Sequence, residues 1–186
     1  MLYVFLALGA VFLSALVALY NRLVSSRNRV RTAWSDIDVQ LQRRHDLIPQ
    51  LVKAVDRYAQ YEKATLEAVT ELRQQAMRAT RIGERGKTEE ALGESLGRLI
   101  ALAESYPDLK ANENFLDLQR QLVETENYLQ FARRYYNGSV RDYNTMIEAV
   151  PSNFVALAFG FKPREFFQKR SDDVANVPLV KLGHIE

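Results

Sequence analysis

The amino-acid sequence predicts an all-α protein in which an N-terminal transmembrane helix continues into an antiparallel bundle of three long helices and a short C-terminal helix. Three observations support this fold class. The chain opens with a long uncharged run, apolar residues farther along recur at gaps of three, four and seven, and the 186 residues include 8 Gly and 5 Pro. Such gaps mark one buried helical stripe, and so few turn-forming residues disfavour a sheet protein.

The N-terminal anchor is predicted at residues 1–20. Leu2–Tyr20 contains no charged residue, and nineteen residues at a rise of ~1.5 Å give a helix of about 28 Å, close to the roughly 30 Å of a bilayer core. A cleaved signal peptide would have a basic start, a shorter apolar run and a small-residue cleavage site. The sequence has none of these features, so we expect an uncleaved single membrane span.

A basic collar follows the anchor directly. It consists of Arg22, Arg27, Arg29 and Arg31, and no acidic residue occurs before Asp36. Because basic residues are retained on the cytoplasmic side, the collar predicts a cytoplasmic bundle and an N-terminus outside. Basic residues at this place also bind anionic lipid. Nucleic acid is not an expected partner, since the formal net charge is only +2 and the collar adjoins a membrane span.

The anchor is predicted to run without a break into the first bundle helix, whose apolar stripe extends to about residue 80. Pro49 either kinks this helix or starts a new one, and we favour the kink. Gly83 and Gly86 are typical of a helix end and a turn, so they predict a linker. A second helix is then expected from about Thr88 to Glu104.

A third helix is predicted from about Glu113 to Val150, with Asn112 or Asn114 as its N-cap. Its heptad-like seam includes two Tyr-Asn pairs seven residues apart. We expect the tyrosine rings in the core, while the asparagine amides either bond a neighbouring helix, in the same bundle or in another copy, or set the register of the bundle. These register residues are Tyr136, Asn137, Tyr143 and Asn144.

Pro151 begins a short fourth helical piece within an apolar segment that we predict to be an interaction site. Residues 154–161, FVALAFGF, carry no charge and are too few to span a bilayer. The candidate interaction residues are Phe154, Leu157, Phe159, Phe161, Phe166 and Phe167. The segment is compatible with a lid over the end of the bundle, a contact with another copy, or insertion at the membrane interface. The bundle domain is predicted at residues 21–168, and a C-terminal extension at 169–186.

The sequence lacks the residue patterns of common catalytic centres. It has no cysteine, and neither His45 nor His184 follows a Glu by three residues, the spacing that a di-iron bundle uses. We therefore predict no catalytic residue, no cofactor and no metal site, and do not expect an enzyme. His45 is expected at the surface or at an interface. The glutamates expected on solvated helix faces are Glu62, Glu67, Glu71, Glu124 and Glu126.

Three long segments carry a family resemblance. They are YNRLVSSRNRVRTAWSDIDVQLQRRHDLIPQLVKAVDRYAQYE at residues 20–62, YPDLKANENFLDLQRQLVETENYLQFARRYYNGSVRDYN at 106–144 and PSNFVALAFGF at 151–161. In these segments the chain resembles the LemA family. The resemblance implies a bacterial inner-membrane protein with one N-terminal anchor, its N-terminus outside and an antiparallel helical bundle inside. It implies no enzymatic activity, cofactor or catalytic residue.

The resulting hypothesis is a membrane-anchored scaffold that forms homo-oligomers and organises or stabilises the envelope membrane through protein and lipid contacts. Confinement to a membrane plane raises the effective concentration, so weak contacts suffice to assemble many copies. The alternative is an adaptor that presents clients or regulators to a membrane protease, because genes of the LemA family often accompany such proteases. The expected partners are therefore lipid and further copies, or a membrane protease or another envelope protein.

Overall fold

The computed structural model describes residues 1–59 and 62–167, and within them the chain is all-α, which confirms the predicted fold class. The helices are α1 (Leu2–Asp56), α2 (Lys63–Arg78), α3 (Ile82–Glu104), α4 (Pro107–Lys110), α5 (Glu113–Glu148) and α6 (Ser152–Ala158). The predicted C-terminal extension at residues 169–186, and His184 with it, lies outside the described residues.

Helix α1 joins the predicted anchor to the bundle as one helix of 55 residues. It contains a window that is long and apolar enough to cross a membrane, and 0% of that window is buried inside the protein. Pro49 lies inside the helix. The predicted continuity is therefore confirmed, and the alternative in which a new helix begins at Pro49 is wrong.

The predicted first bundle helix is divided in two, because α1 ends at Asp56 and α2 packs back against α1. Val69 and Ala76 of α2 share one core with residues 48–55 of α1. The apolar stripe thus continues past the end of α1 into α2. The chain reverses between the two helices, and the apolar residues of α2 are buried against α1. The reversal contains neither Gly nor Pro, so no local signal marks it. Tyr58 is exposed at the turn.

Helix α3 begins earlier than the sequence predicted, at Ile82. Gly83 and Gly86 lie in its first turns, so the prediction of a glycine linker is wrong, and the chain turns at residues 79–81 instead. Gly86 is buried in the bundle, which indicates that this glycine serves helix packing rather than a turn. The helix ends at Glu104, as predicted.

The bundle contains two hydrophobic cores along its length. The distal core, away from the anchor, joins α1, α2, α3, α4 and α5. The proximal core, next to the anchor, joins α1 and α5 to α6 and to residues 161–167. Helix α5 is antiparallel to α1 and contacts it in both cores. Its N-cap is Asn112, one of the two predicted caps, whose side chain accepts a hydrogen bond from the Phe115 N–H at 3.1 Å.

Candidate functional site

An extended segment after α6, residues 161–167, lies against α1 and α5 and is called the strap below. Gly160 has a φ of 66°, a left-handed conformation that glycine adopts without strain. This conformation lets the Phe161 N–H donate to the Ala156 carbonyl at 2.9 Å and closes the end of α6. From Phe161 the strap runs away from the anchor and brings Phe167 beside Trp34.

The two predicted register tyrosines bind the strap with their hydroxyl groups. Both rings are buried in the proximal core, as predicted. The Tyr143 hydroxyl donates to the Lys162 carbonyl at 3.1 Å, and the Tyr136 hydroxyl donates to the Glu165 carbonyl at 2.8 Å. Burial raises the pKa of both hydroxyls above 10.0, although the positive charge of Arg164 partly opposes this shift. Both tyrosines therefore remain protonated donors at neutral pH.

The two register asparagines also bind the strap. Asn144 donates to the Arg164 carbonyl and accepts from the Arg164 N–H, each at 2.9 Å. Asn137 accepts from the Phe167 N–H at 3.0 Å. The expectation that these amides bond a neighbouring helix is therefore corrected, because their partner is a non-helical segment of the same chain.

The distance between the two Tyr-Asn pairs on α5 matches the distance between their hydrogen-bond partners on the strap. The two Tyr-Asn pairs are seven residues apart on the helix, whereas their strap partners are three residues apart, from Lys162 to Glu165 and from Arg164 to Phe167. Seven helical residues cover ~10.5 Å, and three extended residues cover about 10 Å. A heptad spacing can therefore bind an extended segment at two successive points.

The candidate interaction residues divide into an inner and an outer set. Phe161 and Phe167 form the inner set, and they are buried in the proximal core. The outer set is exposed: Phe154 66%, Leu157 84%, Phe159 64% and Phe166 41%. The inner set closes the membrane-proximal end of the bundle, which corresponds to the expected lid. The outer set is left without cover in the single chain.

The basic collar surrounds this end of the bundle. Arg22, Arg29 and Arg31 are exposed, while the Arg27 guanidinium lies 5.1 Å from the centre of the Phe161 ring. A cavity of about 480 Å³ opens between the collar and α5, lined by Arg22, Ser25, Ser26, Arg29, Asp142, Thr145 and Met146. The collar thus presents cations immediately below the apolar anchor, the arrangement that suits a charged lipid headgroup.

A buried ion cluster separates the two hydrophobic cores. Arg44 Nη1 lies 3.0 Å from Glu89 Oε2, and Arg44 Nε lies 2.7 Å from Glu126 Oε1. The other carboxylate oxygen of Glu89 lies 2.8 Å from His45 Nε2. Glu89 comes from α3 and Glu126 from α5, so one guanidinium on α1 links three helices. This arrangement fixes how the three helices meet.

The cluster corrects two predictions. His45, expected at the surface or at an interface, is 2% exposed and contacts Glu89. Glu126, expected on a solvated face, is partly buried against Arg44. His45 and its partner Glu89 are distant in sequence, and so are Glu126 and its partner Arg44. The residues next to His45 in the sequence are charged, and they therefore gave no sign that its side chain is buried. Nearby, burial and the charge of Arg44 lower the pKa of Arg133 below its usual range, while Glu126 and Glu89 oppose this shift.

The cluster does not form a metal site in the part of the chain that the structure describes, where no three His, Asp or Glu side chains converge. Its guanidinium, carboxylate and imidazole groups are occupied by one another. The residues of the cluster also do not place a nucleophile beside a free base. The geometry therefore supports a structural role for Arg44, His45 and Glu89 in joining helices.

An exposed apolar helix that continues into a helical bundle indicates a membrane-associated helical protein. The LemA family model matches residues 33–182, and the chain belongs to the LemA family. The resemblance found in the sequence is thereby confirmed.

Known relatives cover most of the chain. Magnetosome protein MamQ 2 of Paramagnetospirillum magneticum is 28% identical, over 86% of this chain and 68% of the relative. Magnetosome protein MamQ of Magnetospirillum gryphiswaldense is 25% identical over the same shares. Protein LemA of Metamycoplasma hominis is 25% identical, over 97% of this chain and 83% of the relative.

Proposed function

We propose that this protein is a membrane-anchored scaffold whose copies associate side by side and organise the bacterial envelope membrane. In this proposal the anchor crosses the inner membrane once, the N-terminus is outside, and the bundle lies in the cytoplasm with its basic collar at the lipid headgroups. Membership of the LemA family and similarity to the MamQ and LemA proteins support association with a membrane.

The observation that carries the proposal is an apolar face on α5 that points away from α1. Five large apolar or aromatic side chains on it are 39–63% exposed: Leu116, Val123, Tyr128, Phe131 and Tyr135. At about 100° per residue, Leu116, Val123 and Phe131 lie within roughly 80° of one another, opposite the face of α5 that is buried in the two cores. Tyr135 and Tyr128 lie about 40–60° farther round the helix. An exposed apolar face of this kind on a folded domain indicates an interaction site.

A second copy of the chain is the occupant that this face fits best. The face extends along α5 from Leu116 to Tyr135, a rise of about 28 Å, beside a helix that is continuous with the anchor. Every copy in one membrane therefore carries the face at the same height and in the same direction. Confinement to the membrane plane raises the effective concentration, so a contact of modest affinity is sufficient.

The face also has the surface relief of an interface. A groove of about 640 Å³ lies in it, lined by Leu116, Gln119, Arg120, Val123, Glu124 and Asn127. The groove thus combines two apolar with four polar side chains, and a mixture of apolar and polar groups is common in specific protein contacts. Phe131 protrudes nearby and contacts the Arg134 guanidinium at 4.7 Å from its ring centre.

Cysteine cross-linking in native membranes tests the proposal directly, because the chain contains no cysteine. We expect Phe131→Cys to form covalent dimers upon mild oxidation. Gln74→Cys, at an exposed position on α2, is the matched control and is expected to stay monomeric. Equal, background-level cross-linking of both variants would contradict side-by-side association through α5.

Purification of tagged full-length protein separates the scaffold from the adaptor hypothesis. A scaffold recovers mainly further copies of itself, and Phe131→Asp should reduce that recovery. Recovery of a different membrane protein in equal amounts, unaffected by Phe131→Asp, would favour an adaptor for a partner such as a membrane protease.

A further inference from the structure

Helix α6 lies beside the C-terminal part of the anchor. A cavity of about 360 Å³ separates the two elements, and its walls are apolar. They consist of Leu13, Leu16, Val17 and Tyr20 of α1, of Phe154, Val155 and Ala158 of α6, and of Phe159 directly after α6. The rings of Tyr20 and Phe159 are 4.8 Å apart. Leu13 precedes Tyr20 by seven residues, or about 10 Å along the helix. Helix α6 therefore occupies the same height as part of the apolar span.

The outward surface of α6 is apolar as well. Phe154, Leu157 and Phe159 are its most exposed large side chains, and Val150 just before it is 74% exposed. The sequence carries no charged residue from Ala149 to Phe161. Water is a poor medium for such a surface, whereas hydrocarbon is a suitable one.

The backbone at the end of α6 is suited to hydrocarbon, where polar groups need partners within the protein. The Gly160 N–H donates to the Leu157 carbonyl at 3.3 Å, next to the bond from Phe161 to Ala156. At the other end of α6, the Ser152 hydroxyl donates to the Met146 carbonyl at 2.6 Å. These turns pair several of their hydrogen-bonding groups within the protein, while Asn153 Oδ1 of α6 has no hydrogen-bond partner among the described residues.

We infer that α6 is inserted into the bilayer leaflet that faces the bundle, where lipid acyl chains cover Phe154, Leu157 and Phe159 and fill the cavity beside the anchor. The inference rests on the proposed membrane anchoring and specifies the lipid contact of the scaffold. Acyl chains are the occupant because they are the medium at the height of Leu13–Tyr20, and because the surface offers no charge for a protein partner to match.

The charged residues on either side of α6 fit the same placement. The collar begins at Arg22, directly after the anchor, and the strap places Lys162 and Arg164 directly after α6. Cations at the edge of an inserted apolar element contact the headgroups of anionic lipid. An inserted α6 adds cross-section to one leaflet only, so an assembly of copies would expand that leaflet.

Spin labels on single cysteines test the inference in the full-length protein reconstituted in vesicles of phosphatidylcholine and phosphatidylglycerol. The label is placed at Leu157→Cys, whose side chain is 84% exposed, so that labelling does not disturb the core. Leu13→Cys on the anchor is the lipid reference, and Asp46→Cys on the exposed face of α1 is the water reference. Collisions with oxygen report hydrocarbon, and collisions with a water-soluble nickel complex report water.

We expect the oxygen-to-nickel collision ratio at Leu157→Cys to approach that at Leu13→Cys and to be several-fold above that at Asp46→Cys. A ratio equal to that at Asp46→Cys would show a water-exposed α6 and overturn the inference. Low collision rates with both reagents would show that protein covers α6, which also overturns it. Cross-linking of Phe131→Cys in the same vesicles reports self-association separately, so either proposal can fail without the other.

Discussion

Asn144 and Arg164 form two hydrogen bonds with each other, because the Asn144 side-chain amide both donates to the Arg164 carbonyl and accepts from the Arg164 N–H, each at 2.9 Å. An asparagine side chain thereby contacts the strap as a neighbouring β-strand would. A second asparagine, Asn137, lies seven residues earlier on α5 and accepts a hydrogen bond from the Phe167 N–H. Together the two asparagines hold the strap across the membrane-proximal end of the bundle.

Replacing Asn144 by leucine should loosen the strap. Both hydrogen bonds to the Arg164 backbone are lost, and each such bond contributes a net of about 0.5–1.5 kcal/mol. Hydrogen exchange of the Arg164 amide should accelerate accordingly. Asn127→Leu, an exposed asparagine on the same helix, is the matched control and should leave this amide unchanged. Equal exchange rates in both variants would contradict the assigned role of Asn144.

The strap should also loosen at alkaline pH. Burial raises the pKa of Tyr136 and Tyr143 above 10.0, so the folded state favours the protonated hydroxyls. Their contribution to stability is complete below pH 10 and is lost as the pH rises through the raised folded-state values. A spin label at Phe166→Cys, on the strap, should become more mobile over that range.

The tyrosine variants provide the control for the alkaline transition. With Tyr136→Phe and Tyr143→Phe combined, the strap label should be more mobile already at neutral pH, since both donors to the strap carbonyls are absent. The further change above pH 10 should disappear. If the double variant still shows the alkaline change in mobility, groups other than Tyr136 and Tyr143 cause it, which would contradict the prediction.

Gly93 and Gly97 of α3 should respond oppositely to replacement by alanine. A methyl group at Gly93 would lie 2.9 Å from Arg44 Nη2, and Glu89 and Glu126 hold this guanidinium in place. A methyl group at Gly97 would have no atom within 4 Å. Gly97→Ala should stabilise the helix by up to ~1 kcal/mol, and Gly93→Ala should reduce stability. Thermal unfolding measures both, and an equal rise in Tm would show that Arg44 is not confined.

Removal of the Glu89 carboxylate should destabilise the bundle strongly. Glu89→Ala leaves the buried guanidinium of Arg44 without one of its two carboxylate partners, and breaking a buried pair costs about 3–5 kcal/mol. Glu94→Ala, at an exposed position on the same helix, should change stability by less than about 0.5 kcal/mol. Denaturant unfolding of both variants checks this difference, and similar midpoints would contradict the role given to the cluster.

The sequence predicted features that depend on local pattern. The apolar seam of α5 and the end of α3 at Glu104 follow from helical periodicity and end signals, and the structure has them. The N-cap of α5, Asn112, is one of the two residues that the sequence offered. The reversal after Asp56 was missed because the turn uses neither Gly nor Pro, while Gly83 and Gly86 gave a turn signal inside α3.

The candidate site was less predictable because its contacts join residues far apart in the chain. Arg44 and Glu89 are 45 residues apart, and nothing near either residue indicates the ion pair. The Tyr-Asn repeat was visible in the sequence, but a heptad spacing normally indicates helix packing. Recognising its true partner requires the position of the strap, which depends on the turn at Gly160 and the burial of Phe161.

The central claim, side-by-side association through α5, is tested most directly by the mass of single particles of the full-length protein in lipid nanodiscs. The account predicts particles with several copies for the native chain and a shift to single copies for Phe131→Asp, which alters an exposed side chain on the α5 face. Gln74→Asp adds the same charge on α2 and should leave the particles unchanged. Single copies of the native chain, or an unchanged copy number in Phe131→Asp, would contradict the claim.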